Sequence, residues 1–181
     1  VTRSGVYLLV VTGFGGELPG SPFAVSVMPS IVDAVASVAS GSGLSVSTAG
    51  SQGRISVSAR DRYGNPKSQG GGVFNVSVEH VGGGSIGWVG VMEDDGDGEY
   101  SAVYSVTRSG VYSLRVRHGG VGISGSPFKV SVAAAGANAL ASLGSGSGLS
   151  ELAAGTNGTF VVTLRDMYGN VRGVGGDSVV A

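Results

Sequence analysis

The chain has 181 residues, 35 of them glycine and none cysteine; 41% are hydrophobic and only 13% charged, about half the usual charged share. Eleven basic and 12 acidic residues leave a net charge of −1, which excludes the basic footprint of a nucleic-acid or anionic-membrane binder. The composition also excludes a disulfide framework and a thiolate metal site, a collagen-like glycine repeat, and a spanning helix, since no apolar run approaches the roughly 18–20 residues required.

In chain order, the first thirty residues contain "VTRSGVY" at Val1–Tyr7 and "GSPFAVSV" at Gly20–Val27. The second stretch alternates apolar and polar positions after a proline, the pattern of a half-buried strand with the proline at its start. The same period of two predicts seven strands over the next hundred residues. They lie at Ala34–Val38 with Leu44–Val46, Arg54–Ala59, Val73–Val78, Trp88–Met92, Glu99–Ser105, Gly110–Arg117 and Pro127–Val132. Turn signals separate them: "DRYGNP", "HVGGGSIG", "EDDGDG", "TRSG" and "HGGVGISGS". Phe74, Val76 and Val78 face one way, with Asn75 and Ser77 opposite. Tyr112, Leu114 and Val116 do the same in the sixth strand. Glycine at this density opposes helix, at about 1 kcal/mol per interior residue. Seven short antiparallel strands predict an all-β fold of two packed sheets, an immunoglobulin-like Greek-key sandwich.

The chain also repeats itself. A constant offset of 105 residues places "VTRSGVY" on Val106–Tyr112, "GSPF" of Gly20 on that of Gly125, "GSGLS" of Gly41 on that of Gly146, and "RDRYGN" of Arg60 on "RDMYGN" of Arg165. About half of the overlapping positions are identical. A period of this length exceeds any solenoid unit and matches an autonomous domain. Tandem units are therefore expected: residues 1–30 as the last strands of one, 31–135 as a complete one, and 136–181 as the first strands of the next. The absence of an initiator Met and the end at "GGDSVVA" are read as a stretch taken from a longer chain.

The order of "AG", "RDRYGN", "GG…FNVSV", "DDGDGEYSAVYSV" and "SGVYSLRVRHGGVGISGSPFKVSV" resembles the filamin-type immunoglobulin-like repeat along the whole chain. The resemblance implies a rod of such repeats that spaces, crosslinks or scaffolds, without enzymatic activity or cofactor. It implies protein partners, bound by strand addition at the groove between the third and fourth strands, and contacts between neighbouring repeats of the chain. On this chain the groove residues are Val73, Asn75, Ser77, Trp88, Gly90 and Met92. Actin binding does not carry over, because no actin-binding head is present in these residues. The family does not fix the compartment. A cytoplasmic, cytoskeletal setting is favoured, the ciliary axoneme included, with an extracellular or cell-surface adhesion module as the alternative. The chain departs from the family in its glycine and low charge; Gly72 stands where Asp177 stands in the next copy, and Gly82–Gly84 leaves the groove edge bare.

Other segments carry residue types used in metal binding or catalysis. Glu93–Glu99 clusters five carboxylates around two glycines; calcium takes such oxygen ligands, but the EF-hand spacing is missing and the segment reads as a turn. "RDRYGN" reads as a glycine turn with Arg60 and Asp61 as a corner ion pair. His80 and His118 have no cysteine or carboxylate cluster around them. No P-loop, dinucleotide or nucleophile-elbow pattern occurs. Two N-x-Ser/Thr sequons, at Asn75 and Asn157, would carry glycan if the chain were secreted.

Overall fold

The computed structural model describes residues 1–83 and 86–180. At the N-terminal end β1 (Gly5–Leu9) pairs antiparallel with β4 (Phe23–Val27), Tyr7 opposite Val25. Between them β2 (Thr12–Gly13) and β3 (Gly16–Glu17) form a short hairpin.

A two-sheet sandwich follows. Its strands are β5 (Val32–Ser40), β6 (Val46–Thr48), β7 (Gln52–Asp61), β8 (Phe74–His80), β9 (Ile86–Val91), β10 (Glu93–Asp94), β11 (Glu99–Ser105), β12 (Gly110–His118), β13 (Val121–Gly122) and β14 (Phe128–Ala133). One sheet has the order β10-β11-β7-β5. The other runs β6-β14-β12-β8-β9, with β13 on β12. All these pairings are antiparallel except β14 with β6, which is parallel. Beyond the sandwich, β15 (Leu143–Ser145) pairs with β16 (Val161–Thr163).

Alternation in sequence becomes alternation in burial. Ile55, Val57 and Ala59 of β7 and Tyr100 and Tyr104 of β11 face Phe74, Val76 and Val78 of β8, Leu114 and Val116 of β12, and Val130 of β14. Each such aliphatic or phenylalanine side chain contributes roughly 1.5–3 kcal/mol by leaving water. Tyrosines enter this core because each hydroxyl finds a partner. Tyr104 donates to the Gly43 carbonyl at 2.5 Å, and Tyr100 accepts the Gly72 amide at 2.8 Å. Tyr112 donates to the Arg108 carbonyl four residues upstream, and Tyr7 repeats this toward Arg3. That back-bond at the start of the sixth strand is the tyrosine corner of immunoglobulin-like sandwiches, and it accounts for the repeated "TRSGVY".

One predicted element differs. Leu44–Val46 is not the continuation of a strand: Ser42–Leu44 is a 3-10 turn, closed by the Leu44 amide on the Gly41 carbonyl, and β6 begins at Val46. Gly41 has φ +120°, and a Cβ there would run into the Arg54 carbonyl of β7. Gly146 adopts the same conformation, φ +128°, against Thr159. Close backbone approach therefore dictates "GSGLS" in both copies. The acidic stretch is also more than a turn, since Glu93 and Asp94 form β10 on the edge of the smaller sheet.

Candidate functional site

The residues expected to form a groove lie on β8 and β9, but the two strands are hydrogen-bonded partners. Asn75 stands opposite Val91, Ser77 opposite Val89 and Val78 opposite Trp88, with a bulge before Glu79–Ile86. No partner strand fits between them. The accessible backbone is the outer edge of β9, which ends its sheet and has no other strand beside it among the described residues.

The side chains divide by face. Val73, Asn75 and, partly, Ser77 are open to solvent. Met92 is buried in the core, and its amide donates to the Phe74 carbonyl at 2.9 Å. Trp88 is half-buried. It lies over Gly90, where a Cβ would overlap the indole, and sits 6.5 Å from the Tyr104 ring. Met92 and Trp88 thus belong to the core side of the strand. The solvent side presents Ile86, Val89 and Val91, each more than 60% exposed. Since the Met92 amide points to β8, alternation directs the Val89 and Val91 amides and carbonyls outward. The segment Ile86–Val91 carries no charged residue and no proline, the devices by which exposed edges are ordinarily protected from pairing. Val89 and Val91, which alternation alone did not single out, complete this edge. Gly82 lies in the turn leading to it, and Gly84 lies outside the described residues.

The other candidates have structural partners. Asp94 accepts the Gly71 and Gly96 amides and Asp97 accepts the Glu99 amide; among the described residues no group of His, Asp and Glu is placed to hold a metal. His118 Nδ1 is 2.9 Å from the Val73 carbonyl, and His80 packs edge-on against Tyr112. Among the described residues, no helix is long and apolar enough to cross a membrane.

Arg60 and Asp61 do not form the expected ion pair. Arg60 donates instead to the Gly64 carbonyl at 3.1 Å. Asp61 is 1% exposed. Its Oδ1 accepts the Tyr63 and Asn65 amides, and its Oδ2 accepts the Ser30 amide and the Asn65 carboxamide, all at 2.8–2.9 Å. Burial alone would raise this carboxyl. The Asn65 side-chain bond and the Ser30, Asn65 and Tyr63 amides outweigh it and bring the pKa down from 3.8 to about 2. Asp166 is lowered by the same balance of burial against hydrogen bonds from Asn170, Ala135 and Tyr168.

An all-β sandwich of this strand order with a tyrosine corner is an immunoglobulin-like domain. More narrowly, the chain belongs to the filamin family: the Filamin/ABP280 repeat model matches residues 31–129. Filamin-C of Mus musculus is 32% identical over 141 residues, covering 70% of this chain and 4% of that protein. The chain therefore spans a small fraction of this relative's length. Among solved structures, invasin, a bacterial integrin-binding protein, superposes with TM-score 0.60 at 24% identity, over 94% of this chain and 34% of its own. FdeC, an Escherichia coli adhesin, gives TM-score 0.60 at 20% identity over 86% and 48%. These two likenesses show the fold. Repeats of the filamin type are typically non-enzymatic modules that mediate protein–protein interaction.

Proposed function

We propose that the chain is a stretch of a non-enzymatic rod of successive filamin-type repeats, divided at about residues 30 and 135, that serves as spacer and protein-interaction module in a cytoskeletal assembly, a ciliary one included. A partner segment adds as a strand to the free edge of β9. The observation that carries this reading is that edge itself: outward main-chain groups flanked by exposed Ile86, Val89 and Val91, with no charge to deter pairing.

Proline at Val89 or Val91 removes an outward N–H without taking a rung from the β8–β9 ladder. Immobilised chain bearing Val91→Pro is expected to retain far less partner protein from source-cell extract than the parent, with an unchanged circular dichroism spectrum. Equal retention by both would end the strand-addition reading.

A cell-surface adhesion module is the second reading. It is favoured by the exposure of Asn75 and Asn157, each in a sequon. For a secreted chain, glycosidase treatment of material from its source is expected to shift its mobility, and the shift should vanish in an Asn75→Gln/Asn157→Gln variant. Absence of any shift favours the cytoskeletal setting.

A further inference from the structure

Two hydrogen-bond clusters, 105 residues apart, use the same atoms. Asn65 Oδ1 accepts the Ser4 amide at 3.0 Å while its Nδ2 donates to the Thr2 carbonyl at 2.7 Å. Asn170 does the same to Ser109 and Thr107, both at 2.8 Å. Each carboxamide also donates to its turn aspartate, Asp61 or Asp166. The same aspartate oxygen accepts the connecting-segment amide, Ser30 or Ala135, at 2.9 Å. A cation then closes on the carbonyl of that residue: Lys67 on Ser30 and Arg172 on Ala135, both at 2.7 Å. One turn thus grips both the connecting segment and the "TRSG" loop of the preceding copy.

The chemistry is selective. Only a carboxamide offers an acceptor and a donor side by side, matching an N–H and a C=O two residues apart. Aspartate would lack the donor and face Asp61, and serine is too short to bridge. A second contact supports the same docking. Tyr168 of the later turn lies over Gly50, where any Cβ would overlap its ring. The Gly50 amide in turn donates to the Val106 carbonyl at 2.8 Å, tying the Ala49-Gly50 turn to the same loop. The glycine of "AG", the serine of "TRSG" and the asparagine of "YGN" are therefore parts of one interface, which accounts for their recurring together.

We infer that the Arg-Asp-x-Tyr-Gly-Asn turn is an inter-repeat latch: a docking site for the Thr-x-Ser loop and Ala-Gly turn of the preceding copy, which fixes the angle between neighbours. The inference rests on the reading of the chain as successive repeats. Its partner is another copy of the same repeat, presented in one direction only, so the joint propagates along an array with the same geometry at each step.

The native chain has no cysteine, so Lys129→Cys and Glu151→Cys place one spin label on each side of the second joint. Pulsed electron paramagnetic resonance is expected to give a narrow distance distribution in this background. Adding Tyr168→Ala and Asn170→Ala should widen it about twofold or more, since unlatched neighbours reorient freely, while the urea midpoint of the central sandwich stays put. Tyr168→Ala alone, which removes no hydrogen bond of the turn, should widen it in part. Unchanged width in both variants overturns the latch and leaves the successive-repeat reading standing. A starting distribution as wide as in denaturing urea would overturn both.

Discussion

Phe74→Ala is expected to lower the stability of the sandwich by about 3–5 kcal/mol, the upper range for truncating a core side chain. Phe74 is fully buried at the start of β8, with its ring 4.6 Å from Tyr100 and 5.0 Å from His118. The site cannot collapse readily. It is bounded by the β8–β12 ladder on one side, where Phe74 stands opposite His118, and by the Met92–Phe74 hydrogen bond on the other. Cavity and lost transfer energy therefore add. Urea unfolding followed by tyrosine and tryptophan fluorescence reads the effect as a lowered midpoint at constant slope. A midpoint within error of the parent would mean that this end of the core is not packed as described.

Asp61→Asn is expected to be the most damaging polar substitution, although it changes one atom. The carboxylate accepts four hydrogen bonds and donates none. An amide would turn an NH₂ toward two of those donors whichever way it is flipped, leaving buried N–H groups without acceptors. The charge also sets a pH dependence. Because the folded carboxyl titrates at about 2 against an ordinary 3.8, its stabilisation is complete above the ordinary value and is lost as pH falls through about 2. Asp166 shares the direction. Thermal midpoints measured across that acid window should fall steeply for the parent and less so for Asp61→Asn, which starts lower. Parallel curves would show that Asp61 carries none of the acid sensitivity.

Period-two alternation finds the longer strands of the sandwich, because each has one wet face and the core is built from the other; the two-residue strands β10 and β13 fall in segments that read as turns. Glu99–Ser105 coincides with β11, and the other long strands agree to within two residues at each end. Leu44–Val46 reads as strand although Leu44 closes a glycine turn whose shape is imposed by the Arg54 carbonyl, 10 residues along the chain from Leu44, and only Val46 belongs to β6. The candidate edge was legible as a pair of strands but not as a pairing. Sequence alternation shows which side chains face the core, whereas the direction of main-chain groups emerges only from register. Asp61 beside Arg60 looked like an ion pair because adjacency suggests it. The carboxylate is instead satisfied by amides, one of them on Ser30, 31 residues away. The repeat offset did hold that information, since "TRSG" and "YGN" recur together, but their contact became visible only when the two lay side by side.

The parallel pairing of β6 with β14 determines how the sandwich would respond if it were pulled from its two ends. Ser131, Val132 and Ala133 run alongside Val46, Ser47 and Thr48, and the ladder is extended by the Ser131 amide on the Ser45 carbonyl and the Ala49 amide on the Ala133 carbonyl, each at 2.8 Å. One strand lies near the entry of the chain into the sandwich and the other at its exit. Tension applied through the two ends draws them in opposite directions along their shared axis, so the rungs are sheared together rather than peeled one after another. Rupture under pull is governed by the unfolding barrier rather than by equilibrium stability. Resistance to stretching is in this way separable from thermodynamic stability.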